Sequence, residues 1–341
     1  MFSISVVVPI FNTCAQIDSC LESILSQTLR DIEIICLDDG STDGSLEIVK
    51  KYAEVDSRIR VFSHSNIGAG PTRNRGIAVA NGKYVAFMDA DDMYPADNVL
   101  QLMYEKAEET GCNICGGEWK AFFPDGRVVS EFSDDYSGYI YEKEGITLYK
   151  DYQYDYGYHR FIYKRSFLLD NGIMFPSYLR YQDPPFMIKA MTIAKEFYAI
   201  KTPTYLYRSG NKRIDWNAER VCDMLQGMIK CLYYANEYEY RRIQYLIYKR
   251  ITVNYRKQIS EILRSSDKER LILLLKNAGN LVNYSLLEQE YDVGDENKIF
   301  ALIDNECHNP SNKKFIRGIL YLKRNGLKNT IKKIKSHSRK K

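Results

Sequence analysis

Between residues 3 and 110 the chain alternates, four times over, a short β-branched run with a stretch whose apolar residues recur at helical spacing, and nothing else constrains its fold as tightly. SISVVVPI leads into AQIDSCLESILSQ, IEIICLDD into SLEIVKKYAEV, RIRVFSH into PTRNRGIAVANG, and KYVAFMDADD into NVLQLMYEKAEET. Short apolar runs read as strands and runs of 3.6-residue period as amphipathic helices. Strands that alternate with helices fold as a mostly parallel α/β sheet with helices on its faces. Ligands of such sheets bind beyond the carboxyl ends of the strands. Three of those ends carry distinctive side chains: Pro9, Ile10, Phe11 and Asn12 after the first strand, Asp38 and Asp39 after the second, and Asp89, Ala90 and Asp91 after the fourth.

The third of these ends is the most demanding, because an apolar run passes straight into Asp89, Asp91 and Asp92, whose like charges repel. In D-x-D on an extended segment both side chains point to one side. A hard divalent cation, Mg²⁺ or Mn²⁺, would relieve the repulsion, since it takes one or two carboxylates and fills its shell with water and substrate phosphates. Asp92 and Asp97 are expected to cap the helix that begins near Asn98.

SVVVPIFN, DIEIICLDDGSTDGS and NIGAGPTRNRGIAVANGKYVAFMDADD, in this order and spacing, closely resemble the bacterial family 2 glycosyltransferases of the GT-A fold, of the kind that build capsules and other polysaccharides. The resemblance covers about residues 3 to 210. It implies transfer of a sugar from a nucleotide-sugar, usually a UDP-sugar, to a hydroxyl of a saccharide or lipid-linked acceptor. A bound Mn²⁺ or Mg²⁺ would bridge the diphosphate, and the anomeric carbon would invert. Carried over by residue, it sets Pro9, Phe11 and Asn12 around the base and ribose, with Asp39 accepting from the uracil imide. Arg73, in Thr72-Arg73-Asn74, would lie near the nucleotide. Asp89 would face the ribose or the metal's water shell, next to Ala90, and Asp91 would coordinate the metal. A carboxylate suits an imide N–H, and a ring such as Phe11 can stack on a base.

Inversion also needs a base for the acceptor proton. The family places one in a Glu-Asp pair ahead of a helix, where this chain has Gln182-Asp183 in YLRYQDPPFMIKAM. Glutamine removes a neighbouring charge that would raise the carboxyl's pKa. Pro184 and Pro185 open a helix whose positive end favours the ionised form. Asp183 is therefore expected to be a ready but mild base. Arg208, in the late segment TPTYLYRSG, is the candidate to approach the diphosphate. Residues 136 to 163 hold nine tyrosines, suited to stacking on sugars, and Tyr156, Tyr158 and His159 with Gln182 are the acceptor-site candidates.

A GT-A catalytic region is thus expected over residues 1–212, with a nucleotide-sugar half (1–98) and an acceptor half (99–212). Residues 213–341 form a helical extension that could self-associate. The chain carries 48 basic and 44 acidic residues, but twelve of the basic ones and no acid fall in residues 312–341. FIRGILYLKRNGLKNTIKKIKSHSRKK spaces its apolar residues roughly helically among lysines, which reads as an amphipathic binder of anionic lipid. Nucleic acid is disfavoured as a partner, because the basic charge sits at one end and not along a structured face. No run of about 18 apolar residues occurs, and no basic region precedes the N-terminal apolar stretch. The expected location is therefore the cytoplasm, at the inner face of the membrane. Eight scattered cysteines, Cys112 and Cys115 among them, read as free and mostly buried thiols. Gly68-Ala69-Gly70 follows the third strand with Arg73 where a dinucleotide site needs glycine, which argues against nicotinamide binding. The alternative function class is a catalytically inactive nucleotide-sugar-binding scaffold, favoured by Gln182 alone.

Overall fold

The fold was obtained as a computed structural model, which describes residues 2–129, 140–210, 215–289, 291, 293 and 298–307. The basic tail from residue 312, and Tyr136 and Tyr139 of the tyrosine-rich stretch, lie outside these residues.

The first half follows the alternation. Strands β1 (Ile4–Ile10), β2 (Ile32–Asp38), β3 (Ile59–Ser63) and β4 (Tyr84–Phe87) interleave with helices α1 (Ile17–Leu25), α2 (Ser45–Val55), α3 (Ala69–Val79) and α4 (Val99–Thr110). All four strands are parallel, in the order β3-β2-β1-β4, so that Ile4 faces Ile32 on one side and Tyr84 on the other. Both faces of β1 and β2 are covered by helices, and both strands are buried almost throughout, which is why their sequences are continuous apolar runs. Gly76 lets α3 settle directly on β1, because a Cβ there would lie 2.2 Å from Cγ1 of Val7.

Beyond β4 the sheet changes direction. β5 (Ile114–Phe122), with β6 (Val128–Val129) on its outer part, β7 (Gly145–Leu148), β8 (Phe161–Lys164) and β9 (Glu196–Arg208) extend the order to β4-β8-β5-β9-β7. β8 is antiparallel to both β4 and β5, whereas β9 is parallel to β5. Two reversals therefore bring the start of β8 and the ends of β4, β5 and β9 to one edge of the sheet. Between these strands lie short helices α5 (Tyr149–Tyr152) and α6 (Arg165–Asp170) and the longer α7 (Asp183–Ala194).

The remaining described residues are helical: α8 (Ala218–Glu237), α9 (Arg241–Lys249), a π-helical turn at Arg250–Asn254, α10 (Arg256–Leu263), α11 (Lys268–Leu281), α12 (Tyr284–Leu287) and α13 (Ile299–Cys307). The Asn217 side chain caps α8 by accepting from the Arg220 N–H at 2.9 Å. One buried apolar cluster runs from Val7 and Phe87 through Phe186 to Leu232, Leu275 and Ile303, so these helices share the core of the sheet's α3 and α7 face. No helix among the described residues is long and apolar enough to cross a membrane. Cys14, Cys20, Cys36, Cys112, Cys115, Cys222 and Cys231 are free, and all of these but Cys14 are buried.

The tyrosine-rich stretch serves mainly to pack. Tyr141, Tyr149, Tyr152, Tyr154 and Tyr163 are buried in the main core, where Tyr152 meets Phe197 edge to face and Tyr149 at a tilt. Strand and core packing, more than sugar stacking, accounts for their number.

Candidate functional site

At the common edge of the sheet lies a cavity of about 730 Å³, whose walls include Arg73, Asp89, Tyr158, His159, Asp183 and Arg208. Each arrives from a different element: Arg73 from α3, Asp89 from the end of β4, Tyr158 and His159 from the turn before β8, Asp183 from the first turn of α7, and Arg208 from the end of β9.

The Arg73 guanidinium is the hub. It is buried, lies over the rings of Tyr158 and Phe175, and donates to Oδ1 of Asp89 at 2.7 Å. Its other terminal nitrogen is 3.6 Å from Oδ1 of Asp183. One cation thus bridges a carboxylate that follows β4 and one from the first turn of α7. Tyr158 adds a hydroxyl donated to Asp89 Oδ1 at 3.1 Å.

Two features place Asp183 there. Asn74 clamps Phe175, its amide donating to the Phe175 carbonyl at 2.8 Å while its Oδ1 accepts the Phe175 N–H at 2.9 Å. At Gly70 a Cβ would lie 2.5 Å from the carbonyl oxygen of Pro176, so only glycine lets this loop close on α3. The Thr72-Arg73-Asn74 segment therefore both supplies the cation and holds the strap that delivers the second carboxylate. Sequence reasoning singled out Arg73 but not the Asn74 clamp, for which an amide side chain one turn from Gly70 is the only available sign.

Asp183 itself departs from expectation. The helix end and the neutral Gln182 favour the ionised form, but burial in the cavity wall pushes its carboxyl above the ordinary aspartate value; Asp89 pushes the same way, while Arg73 and Arg180 oppose. A missing glutamate neighbour and a helix terminus do not outweigh desolvation. Asp183 is the first residue of α7, ahead of Pro184 and Pro185. Gln182 lies beside it in the cavity wall.

The acidic run is held by more than a cation. Asp92 is fully buried, accepts from the Tyr205 hydroxyl at 2.7 Å and from the Arg208 backbone N–H at 2.7 Å, and does not cap α4. Helix α4 follows Asn98 with no side-chain capping bond. Burial first, then the charges of Asp91 and Asp89, raise the Asp92 carboxyl well above the usual carboxylate range. Tyr205 also accepts from the Asp89 N–H at 3.1 Å, and Met93 exchanges backbone hydrogen bonds with Leu206. The D-x-D segment is thus sewn to β9, a long-range contact that the local sequence does not signal. Ala90 and Asp91, between these anchors, are both buried. Arg208 donates from Nε to the Asp91 carbonyl at 2.8 Å and from a terminal nitrogen to Ser19 Oγ at 3.2 Å, above the ring of Phe122.

His159 faces the cavity with its ring 3.8 Å from that of Tyr205, and burial pushes its pKa down to about 3, so it is neutral at physiological pH. Tyr156, on the opposite wall, lies under the Arg250 guanidinium at 4.3 Å.

Pro9, Phe11, Asn12 and Asp39 stand further along the same edge, outside the walls of this cavity. Asp39 is buried and accepts the N–H groups of Ile67 and Gly68 at 2.7 and 2.9 Å. Asn12 adopts a left-handed backbone (φ 52°), and its Oδ1 accepts the Thr42 N–H at 2.8 Å. The Phe11 ring is 49% exposed, an open apolar surface beside Asp39 at the ends of β1 and β2.

Three comparisons bear on this arrangement. Residues 5–170 match the family Glycosyl transferase family 2. YibD of Escherichia coli (strain K12), an uncharacterized glycosyltransferase, is 30% identical over 237 residues, which cover 64% of this chain and 68% of that protein. The chain belongs to glycosyltransferase family 2. EpsH of Bacillus subtilis (strain 168), named as a glycosyltransferase, is 33% identical over 211 residues, 60% of each protein, so the matched part spans well under the whole of that relative. Among solved structures, S. aureus TarS 1–349 in complex with UDP-GlcNAc superposes with a TM-score of 0.72 at 18% identity, covering 92% of both chains. That likeness extends the shared fold through the C-terminal helices. In this family 2 member the mostly parallel sheet expected from the alternation is present, with a helical C-terminal region.

The carboxylates suit a hard cation. Asp89 and Asp91 follow the end of β4, and after burial their charges are what raise Asp92. No group of three or more metal-ligating side chains occurs among the described residues. A magnesium-type ion bound by one or two carboxylates, with water and phosphate oxygens completing its shell, needs no such group.

Proposed function

We propose that the protein transfers a sugar from a UDP-sugar to a hydroxyl of a saccharide or lipid-linked acceptor, with inversion, in the synthesis of a surface polysaccharide or glycoconjugate. The observation that carries this reading is the meeting, in one cavity, of a strand-end carboxylate (Asp89) and a second carboxylate from another part of the chain (Asp183) across a single guanidinium.

Asp183 takes the proton of the acceptor hydroxyl as its oxygen attacks the anomeric carbon; the bond from that carbon to the diphosphate breaks, and UDP leaves with the electron pair. A raised pKa makes Asp183 a stronger base at neutral pH than an ordinary aspartate would be. Asp91 and Asp89 would hold Mn²⁺ or Mg²⁺, which would neutralise charge developing on the leaving diphosphate. Asp39, with two backbone donors and His64 Nδ1 at 3.3 Å, has a lone pair left to accept from a uracil imide. The exposed Phe11 ring offers a base a face to stack on. Arg208 would approach the diphosphate, and TarS, of like fold, is a protein that binds UDP-GlcNAc.

The test is UDP release from a panel of UDP-sugars with Mn²⁺ and with EDTA, in the wild type, Asp91→Ala and Asp183→Asn. Metal-dependent release from one donor, lost in Asp91→Ala, supports the reading; binding of a nucleotide-sugar with no turnover of any would favour the inactive scaffold. The tail from residue 312 would hold the enzyme to anionic membrane at the cytoplasmic face. Sedimentation with anionic vesicles should then fall at high salt and on deletion of residues 312–341, and unchanged sedimentation would reject the idea.

A further inference from the structure

Beside the cavity, and sharing Tyr156, Arg180, Gln182, Asp183 and Tyr255 with its walls, lies a chamber of about 80 Å³ between the first turn of α7 and the C-terminal helices. Its walls include Tyr156, Arg180, Asp183, Trp216 and Tyr255; Arg73, Asp89 and Arg208 line the main cavity but not the chamber. The chamber therefore shares the base with the donor side and none of the groups assigned to the donor's diphosphate. It is firmly built. Behind it Arg250 forms a buried ion pair with Asp155, donates to the Tyr181 hydroxyl at 2.6 Å, and supports the ring of Tyr156. The Leu179 N–H is tied to Asp223 of α8 at 2.9 Å, fixing the backbone beside Arg180.

The cations around these two spaces differ in how they are used. Arg73 is committed to Asp89 and Asp183, and Arg208 to the Asp91 carbonyl and Ser19. Arg180 is partly buried and lies over the Trp216 ring, its central carbon 5.4 Å from the centroid. Among the described residues no carboxylate stands within ion-pair distance of it. A guanidinium stacked on an aromatic ring keeps its N–H edge available for a planar or tetrahedral anion. An arginine in this state, beside a base and facing a chamber, is placed to bind an anion that arrives with the substrate.

We propose that the chamber is the acceptor subsite, and that the acceptor unit carries an anionic group, a phosphate or a carboxylate, which Arg180 binds while a nearby hydroxyl faces Asp183. This rests on the transferase reading above. Trp216 and Tyr255 supply the apolar and hydroxyl-bearing surfaces that a sugar or polyol needs. Arg180 also offsets the repulsion an anionic acceptor would meet from Asp183 and from a donor diphosphate.

The experiment is ligand-observed NMR on the full chain with UDP and Mg²⁺ present, titrating glycerol 1-phosphate, glucuronate and neutral glycerol. Binding of at least one anion with none by glycerol is expected, and which anion binds separates phosphate from carboxylate. Arg180→Gln should weaken that binding by about tenfold or more, the loss of a charge-assisted bidentate contact, and Arg180→Lys should retain part of it. Both variants should melt within about 2 °C of wild type, as befits a residue outside the core. Equal binding by Arg180→Gln, glycerol binding as tightly as the anions, or no anion binding at all would each overturn the proposal. If UDP fails to bind, the transferase reading falls by itself, because dependence on Arg180 reports the chamber with or without nucleotide.

Discussion

Replacing Tyr205 by phenylalanine removes one oxygen and should destabilise the protein by about 2–3 kcal/mol. The buried hydroxyl donates to Asp92 at 2.7 Å and accepts from the Asp89 N–H at 3.1 Å. Losing it leaves a buried N–H short of an acceptor and a buried carboxyl short of a donor, each worth about 1–1.5 kcal/mol. The ring's packing against His159 remains, so little apolar contact is lost. At about 2 °C per kcal/mol for a chain of this size, Tm should fall by about 5 °C. The loss has a definite pH signature. Asp92 is raised by burial and by Asp91 and Asp89, with the Tyr205 hydrogen bond opposing the rise. A carboxyl raised in the folded state contributes stability that is present below its unfolded pKa and lost as pH rises through the folded value. Tyr205→Phe raises Asp92 further, so its penalty should grow with pH. The assay is denaturant unfolding in EDTA from pH 4 to 9. A penalty under about 1 kcal/mol, or one that shrinks as pH rises, would refute the assignment of the Asp92 and Asp89 hydrogen bonds.

Asn74→Ala should cost about 1–2 kcal/mol for the two hydrogen bonds to Phe175, and should lower kcat more than it raises donor KM, because the strap carrying Asp183 loosens; a KM effect alone would contradict this. Asp183→Asn should reduce transfer by about 10²–10⁴-fold in an initial-rate assay with donor affinity retained. In the wild type, kcat/KM should fall with acid around a pH above the ordinary aspartate value, since the base must be ionised and its pKa is raised. His159→Phe should leave the pH–rate profile between about 5 and 8 unchanged, because a histidine with a pKa near 3 does not titrate there; a lost limb in that range would give His159 a catalytic role. Gly70→Ala should depress turnover by pushing the Pro176 carbonyl off α3, and a variant as active as wild type would show the strap to be dispensable.

The donor half was readable because its information is local. Continuous apolar runs and amphipathic stretches fix β1 to β4 and α1 to α4 almost in place; the third helix starts at Ala69 where the pattern suggested Pro71. The order of β5, β7, β8 and β9 was not readable, since antiparallel and parallel pairings between distant segments leave no period in the sequence. The same limit explains the site. Asp39, Asp89, Asp91 and Asp183 stand out as carboxylates at element ends, but burial raises the Asp183 carboxyl against the pull of Arg73, and neither burial nor the approach of Arg73 is written in the local sequence. The Asp92 carboxyl looked like a helix cap because its partner, Tyr205, lies 113 residues away. Tyrosines in residues 136–163 suggested sugar stacking, yet most of those described fill the core, because a ring cannot be told by its identity alone to face a ligand or a neighbour.

The reversal at β8 has a consequence for how such a protein can change. β4 carries its chemistry at its last residues and β8 just before its first, yet antiparallel pairing sets both at the same rim. The β4 end is pinned by β1 on one side and by the Met93 bridge to β9 on the other, so it does not depend on the rim-facing positions of the segment that leads into β8. The sheet thus separates a fixed jaw from an interchangeable one: Tyr158, bonded to Asp89, belongs to the fixed jaw, whereas Tyr156 and the C-terminal helices that brace it are free to change for a new receiving molecule without renegotiating the grip on the molecule that is spent.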